Sequence, residues 1–375
     1  MNRREEVQAK VESVRRWIDD TDLDAVLLTS QGGFAWITAG GDNHVSLAQE
    51  AGAASVLVTR DDVYLLAPNN ELRRLIDEEV AGAGVTPIDW PWHDEDGEGR
   101  IVERLCDPSR TVSDLGRLGL PAAPPELAEL RLDLLPPEQD RYRALGRDTA
   151  EAIEVAVLAA RPGDREDDVA ARLAYECRRR EILALVNLVG ADDRIELYRH
   201  PMPTGRRLDR TLLVSVTGRR HGLHASCTRM VHHGPLDDDR AARFAAVVAI
   251  DARFILESRP GALLGKVFDQ GVDQYEREGC GAEWALHHQG GITGYAGREV
   301  FATAASHQFL RAGEAVAWNP TITGVKSEDT VLVGPDGPEV LTRTGAWPEL
   351  TVDLGGEHDG DDAMATVRRP ALLLR

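Results

Sequence analysis

The densest chemistry in the chain is HHQGGITGYAGRE, residues 287–299, where His287 and His288 meet clustered glycines and then Tyr295, Arg298 and Glu299. Histidine is the side chain that titrates near neutrality and can act as acid, base or ligand. Arginine offers a planar donor fork for a carboxylate, and clustered glycine lets backbone approach a ligand closely. Downstream, the apolar run AVAW ends in Asn319-Pro320, and Lys326-Ser327-Glu328-Asp329 precedes a second such run. Upstream, His200 stands before a proline, and HASCTR at 224–229 carries Ser226 and Cys227. Successive strand residues face opposite sides, so Ser226 and Cys227 cannot both serve one site.

The elements that must position these residues alternate. Val7, Val11, Val14 and Ile18 recur at helical spacing, followed by a buried strand from Leu23 to Leu28 and a strand pair near 54–58 and 63–66. A proline-rich stretch at 118–140 reads as a linker. Helices are expected over 137–160, 166–182, 238–257 and 265–278, with strands over 184–190 and 211–234. The fold class is therefore α/β (α+β), with about two domains at this length.

Composition narrows the function classes. The net charge is −20 and only Lys10, Lys266 and Lys326 are lysines. No basic tract exists to neutralise phosphates, so nucleic acid is not an expected partner. Acidity with little lysine fits a salt-rich cytoplasm, and equally an arginine-favouring GC-rich coding sequence. No apolar run approaches the roughly 18 residues of a membrane helix, and the N-terminus lacks the apolar core of a signal peptide, so a cytoplasmic location without membrane contact is expected. Cys106, Cys177, Cys227 and Cys280 are too scattered for a zinc ribbon or a disulfide framework.

Taken in order, RHPMP with His200, HASCTR, HHQGGITGYAGRE, Asn319-Pro320 and SEDT at 327–330 resemble the pita-bread family of aminopeptidase P, prolidase and creatinase. LDAVLLTSQGGFAWITAGG at 23–41 is similar to that family's creatinase-type N-terminal domain. The resemblance implies a creatinase-like N-terminal domain over 1–135, a pita-bread catalytic domain over 136–350 and an acidic tail over 351–375. Peptidases of the family hold two divalent metals with two Asp, one His and two Glu. Those positions fall here on Ser215, Ser226, Gly291, Asn319 and Glu328, and only Glu328 offers the anionic oxygen hard cations want. The expectation is accordingly no metal and no cofactor.

The creatinase branch works without metal and supplies the expected function: metal-independent hydrolysis of a C–N bond in a small carboxylate-bearing nitrogenous substrate. His200 would be general base and acid, with His287 and Glu328 as the other catalytic groups. Arg298 would hold the substrate carboxylate, and Asn319, Ser215, Ser226, His288 and Tyr295 would line the site. The resemblance also implies a homodimer in which the N-terminal domain closes over the partner's site, making Trp36, Asn43 and His44 substrate contacts. Two other readings stay open: an Xaa-Pro-type metallopeptidase with an atypical metal site, and a non-catalytic binding protein on the same fold.

Overall fold

The structure is a computed structural model describing residues 1–354 and 366–375. The chain divides into two compact units, Met1–Glu138 with His221–Leu223, and Gln139–Arg220 with His224–Arg375.

The first unit contains α1 (Arg3–Asp20), β1 (Ala25–Ser30), α2 (Gln31–Ile37), β2 (Ala51–Thr59), β3 (Val63–Pro68), α3 (Asn69–Arg74), β4 (Thr86–Trp90), α4 (Gly97–Leu105), β5 (Thr111–Ser113) and α5 (Pro125–Glu129). A capping box starts α1: Asn2 accepts from the Glu5 amide and Glu5 accepts from the Asn2 amide. Its apolar stripe of Val7, Val11, Val14 and Ile18 is buried. The sheet runs β4-β3-β2-β1-β5, with β1 fully buried. The proline-rich stretch at 118–140 is not a free linker. Leu120, Leu127, Leu132 and Leu134 are buried, and the Ala123 amide donates to Ser113.

The second unit begins with α6 (Pro136–Ala159) and α7 (Glu166–Arg178), then β6 (Leu183–Ala191), α8 (Asp193–Leu197), β7 (Thr211–Arg220) and β8 (Leu223–His232). Next come α9 (Asp238–Glu257), α10 (Leu264–Arg277), β9 (Gly290–Thr293), β10 (Val300–Phe301), β11 (Ala315–Trp318), β12 (Thr321–Ile322), β13 (Val325–Lys326), β14 (Asp329–Gly334) and β15 (Gly337–Val340). The chain closes with β16 (Glu349–Asp353), β17 (Thr366–Pro370) and β18 (Leu373–Leu374). Two larger sheets result, β18-β8-β7-β6 and β10-β9-β11-β14-β15, beside the two-stranded pairs β12-β13 and β16-β17. They are stitched where β8 meets β14: the Thr228 amide donates to Glu328 O at 3.0 Å, and the Ser226 amide to Thr330 Oγ1 at 2.7 Å. Helix α9 covers this core, with Phe254 stacked on Trp318 at 4.5 Å between ring centres. β8 is buried along its whole length, which is why HASCTR reads as one continuous buried strand rather than an alternating one.

The end of the chain departs from the expected acidic tail. β16 and β17 pair antiparallel from Glu349–Pro370 to Asp353–Thr366, and β18 lies parallel to β8. Arg369 is fully buried and donates to Asp251 and Asp329, both at 2.5 Å, while Arg229 donates to the other Asp329 oxygen at 3.1 Å. Arg369, a charged residue of that stretch, therefore belongs to the core. The acidic run at 355–365 lies outside the described residues.

Candidate active site

The second unit holds a cavity of about 440 Å³, a size suited to a small ligand. β6 and β7 supply one wall, with Leu185, Val186, Leu188, Ser215, Val216 and Thr217. Arg298 comes from the loop between β9 and β10, Asn319 from just past the end of β11, Lys326 from the end of β13 and Glu328 from the short stretch between β13 and β14. Lys326 and Glu328 are two residues apart in extended chain and so share a face.

These groups form a buried cationic floor. Lys326 Nζ lies 2.9 Å from Glu328 Oε2 and 3.3 Å from Ser215 Oγ. Thr228 donates to the same Glu328 oxygen at 2.6 Å and lies 2.5 Å from Ser215 Oγ. The Arg298 guanidinium stands 3.7 Å from Glu328 Oε1, donates to Asn319 Oδ1 at 3.4 Å, and leaves its buried Nε without a hydrogen-bond partner. Burial alone would raise the Glu328 carboxyl, but Lys326, then Arg298 and the hydrogen bonds outweigh it and hold it below the usual range. Glu328 is thus a fixed carboxylate. Among the lining residues two fixed cations face one fixed anion, leaving one positive charge at the bottom of the cavity.

Three histidines stand together at its rim. His200 Nε2 is 2.9 Å from His287 Nε2, and the His287 and His288 rings stack at 4.4 Å. Two braces hold the loops that carry them. Arg199 donates to Glu283 at 2.6 Å and to Thr323 at 3.1 Å, joining the His200 segment to the turn before His287. Gln289 donates to the carbonyls of Trp284 and His287 and accepts from Tyr275. Burial, then Lys326, pulls His200 down; burial, then Lys326, takes His287 to about 2; burial, then Arg298, takes His288 to about 4. At neutral pH His287 and His288 are therefore uncharged imidazoles.

The model of metallopeptidase family M24 matches residues 140–335, more than half of the chain. The chain belongs to metallopeptidase family M24. Solved M24-like structures share the fold over nearly the whole length. The prolidase from Pyrococcus horikoshii OT3 has 16% identity and a TM-score of 0.76, covering 90% of this chain and 98% of that one. The Xaa-Pro dipeptidase from Bacillus anthracis has 18% identity and a TM-score of 0.72 over 90% and 98%. The N-terminal domain of the FACT complex subunit SPT16 from chickpea also matches, at 12% identity and a TM-score of 0.69 over 92% and 96%. No curated protein sequence matches the chain.

Membership in M24 corrects the expectation of a metal-independent, creatinase-like hydrolase. The matching family is one of metallopeptidases, and the structural neighbours include prolidases and Xaa-Pro dipeptidases. The order of motifs marked the family well but could not separate its branches.

The two-metal arrangement implied for M24 peptidases nevertheless does not fit the residues present. Ser215 is engaged with Thr228, and Ser226 with Thr217 at 2.8 Å. Asn319 is neutral, and Glu328 is already satisfied by Lys326 and Thr228. Gly291 has φ +145°, and a Cβ there would lie 2.1 Å from Val300 O, so the strand has no room for an imidazole.

The remaining expected site residues fall in different places. His200, His288, Arg298, Asn319, Ser215 and Glu328 line the cavity, and His287 joins its rim. Ser226 and Tyr295 are buried and are not among the lining residues. Cys227 is buried and its thiol is pushed well up by burial, so it is no nucleophile. Trp36, Asn43 and His44 belong to the first unit. There Trp36 lines a smaller cavity beside Asp114, Asn43 donates to Ala54 O at 2.7 Å, and His44 bonds Asp42. Lys326 is a site residue that was not singled out from the sequence. Its signal was present: one of only three lysines, two positions before the retained acid.

Among the described residues, no helix is long and apolar enough to cross a membrane.

Proposed function

We propose that this M24 chain is a peptidase of the Xaa-Pro type with an atypical site, acting on a small substrate held by its carboxylate. The observation that carries this reading is the uncompensated positive charge formed by Arg298 and Lys326 against Glu328. A buried guanidinium with a free Nε is a strong receptor for a carboxylate, because charge-assisted bonds in a site of low dielectric are not screened by water. The apolar wall of Leu185, Val186, Leu188, Val216 and Phe301 suits a pyrrolidine ring or aliphatic side chain beside that carboxylate. Asn319 adds an amide for a peptide group. The volume suits a ligand of dipeptide size.

A second reading, that the cavity binds such a ligand without turnover, is favoured by Lys326. Its ammonium lies between Ser215 and Glu328, where a peptidase of the family would present metal ligands. Incubation with Xaa-Pro dipeptides, with and without Zn²⁺, Mn²⁺ or Co²⁺, separates the two by release of free proline. The peptidase reading expects release with metal. Saturable binding with no proline under any of these ions would replace it by the second.

A further inference from the structure

We infer that His200, His287 and His288 form a mononuclear site for a divalent first-row transition ion of the zinc type, with a coordination position open toward the cavity. This deepens the peptidase reading by giving it a centre, although the site itself stands on its own geometry. One ring nitrogen from each histidine lies within 4.8 Å of the others. A tetrahedral ion with Zn–N bonds of 2.0–2.1 Å places its nitrogens ~3.3 Å apart. The His200–His287 pair, at 2.9 Å, is already near that spacing. His200 and His288 are exposed enough for small side-chain rotations to close the rest.

Two further features favour ligation. His287 Nδ1 is buried and makes no hydrogen bond, so its ring is not held by another polar partner on that side. The Arg199–Glu283 and Gln289 braces hold both loops in place, the support a ligand set needs. Imidazole nitrogen suits zinc, cobalt, nickel and copper, whereas magnesium and calcium demand oxygen. Three histidines leave one tetrahedral position for water or substrate. Lys326 and Arg298 oppose a cation here and Glu328 favours it, so binding should be weaker than in a closed structural zinc site.

The site lies outside the five positions of the M24 two-metal arrangement, so loss of those ligands does not remove it. The test is calorimetric titration of chelator-stripped full-length protein with ZnCl₂, CoCl₂ and MgCl₂, without peptide. The expected result is one zinc per chain and no magnesium. His200→Ala, His287→Ala and His288→Ala should each lower zinc affinity by at least about 100-fold. Replacing the exposed His307 should change nothing. His287→Gln, with circular dichroism on every variant, guards against loss of fold. No equimolar zinc, or zinc binding that survives His287→Ala and His287→Gln in folded protein, would overturn the site. Equimolar zinc without dipeptide hydrolysis would support the site and remove only the peptidase reading. Hydrolysis by a protein that binds no zinc would do the reverse.

Discussion

Replacing Arg369 by alanine should destabilise the second unit by about 3–5 kcal/mol, the usual cost of stripping one partner from a buried ion network. Arg369 is fully buried and bonds Asp251 and Asp329, both themselves fully buried. Its removal leaves Asp251 with only the Ser327 hydroxyl, its other oxygen having no partner, and leaves Asp329 to Arg229 and Thr342 alone. Protonation of an aspartate would recover part of the loss, so the deficit should shrink as pH falls toward the carboxylate range. Urea unfolding at pH 7 and again near pH 4 measures both effects. A deficit below about 1 kcal/mol at pH 7 would mean that β17 is not pinned to the core through this arginine.

The second large effect is expected at Gly291. Restoring histidine there, the residue the M24 ligand pattern would require, should cost about 3 kcal/mol or more, from backbone strain and overpacking together. The added Cβ would meet Val300 O at 2.1 Å and Ala302 N at 2.7 Å, at a φ of +145°. It should also fail to create manganese binding, because Ser215, Ser226 and Asn319 still supply no anionic oxygen. Thermal unfolding with and without MnCl₂ checks this. A variant as stable as the parent that gains manganese binding would show that the strand can accommodate the ligand.

How far the sequence revealed the molecule differs between fold and site. The pita-bread fold was legible because His200, HASCTR, the glycine loop, Asn319-Pro320 and SEDT occur in one order, and the segment before β7, then β8, the β9–β10 region, the end of β11 and the start of β14 carry them in that order. The convergence of His200, Arg298, Asn319 and Glu328 followed from the same order. Lys326 was harder to read, since its role depends on Ser215 on β7 and Glu328 beyond β13 meeting one ammonium, a long-range arrangement with no local pattern. The core role of Arg369 was hidden for a similar reason. A composition-based reading sees an acidic, glycine-rich end, whereas its two aspartate partners lie 118 and 40 residues away. The three-histidine rim was half visible: His287 and His288 adjoin in sequence, but only the loop braces bring His200 within 2.9 Å of His287. Branch assignment failed because motif order is shared across the family while chemistry depends on the individual ligands.

The most direct test of the central claim is calorimetric binding of one Xaa-Pro dipeptide and of the same dipeptide with its C-terminus amidated. If Arg298 and Lys326 receive a carboxylate, amidation should weaken binding about 10- to 100-fold, the equivalent of ~1.5–3 kcal/mol for hydrogen bonds to charged groups. In the Arg298→Ala variant most of that difference should vanish. Equal affinity of the wild-type protein for acid and amide would contradict the account, since the buried positive charge would then have no part in recognition.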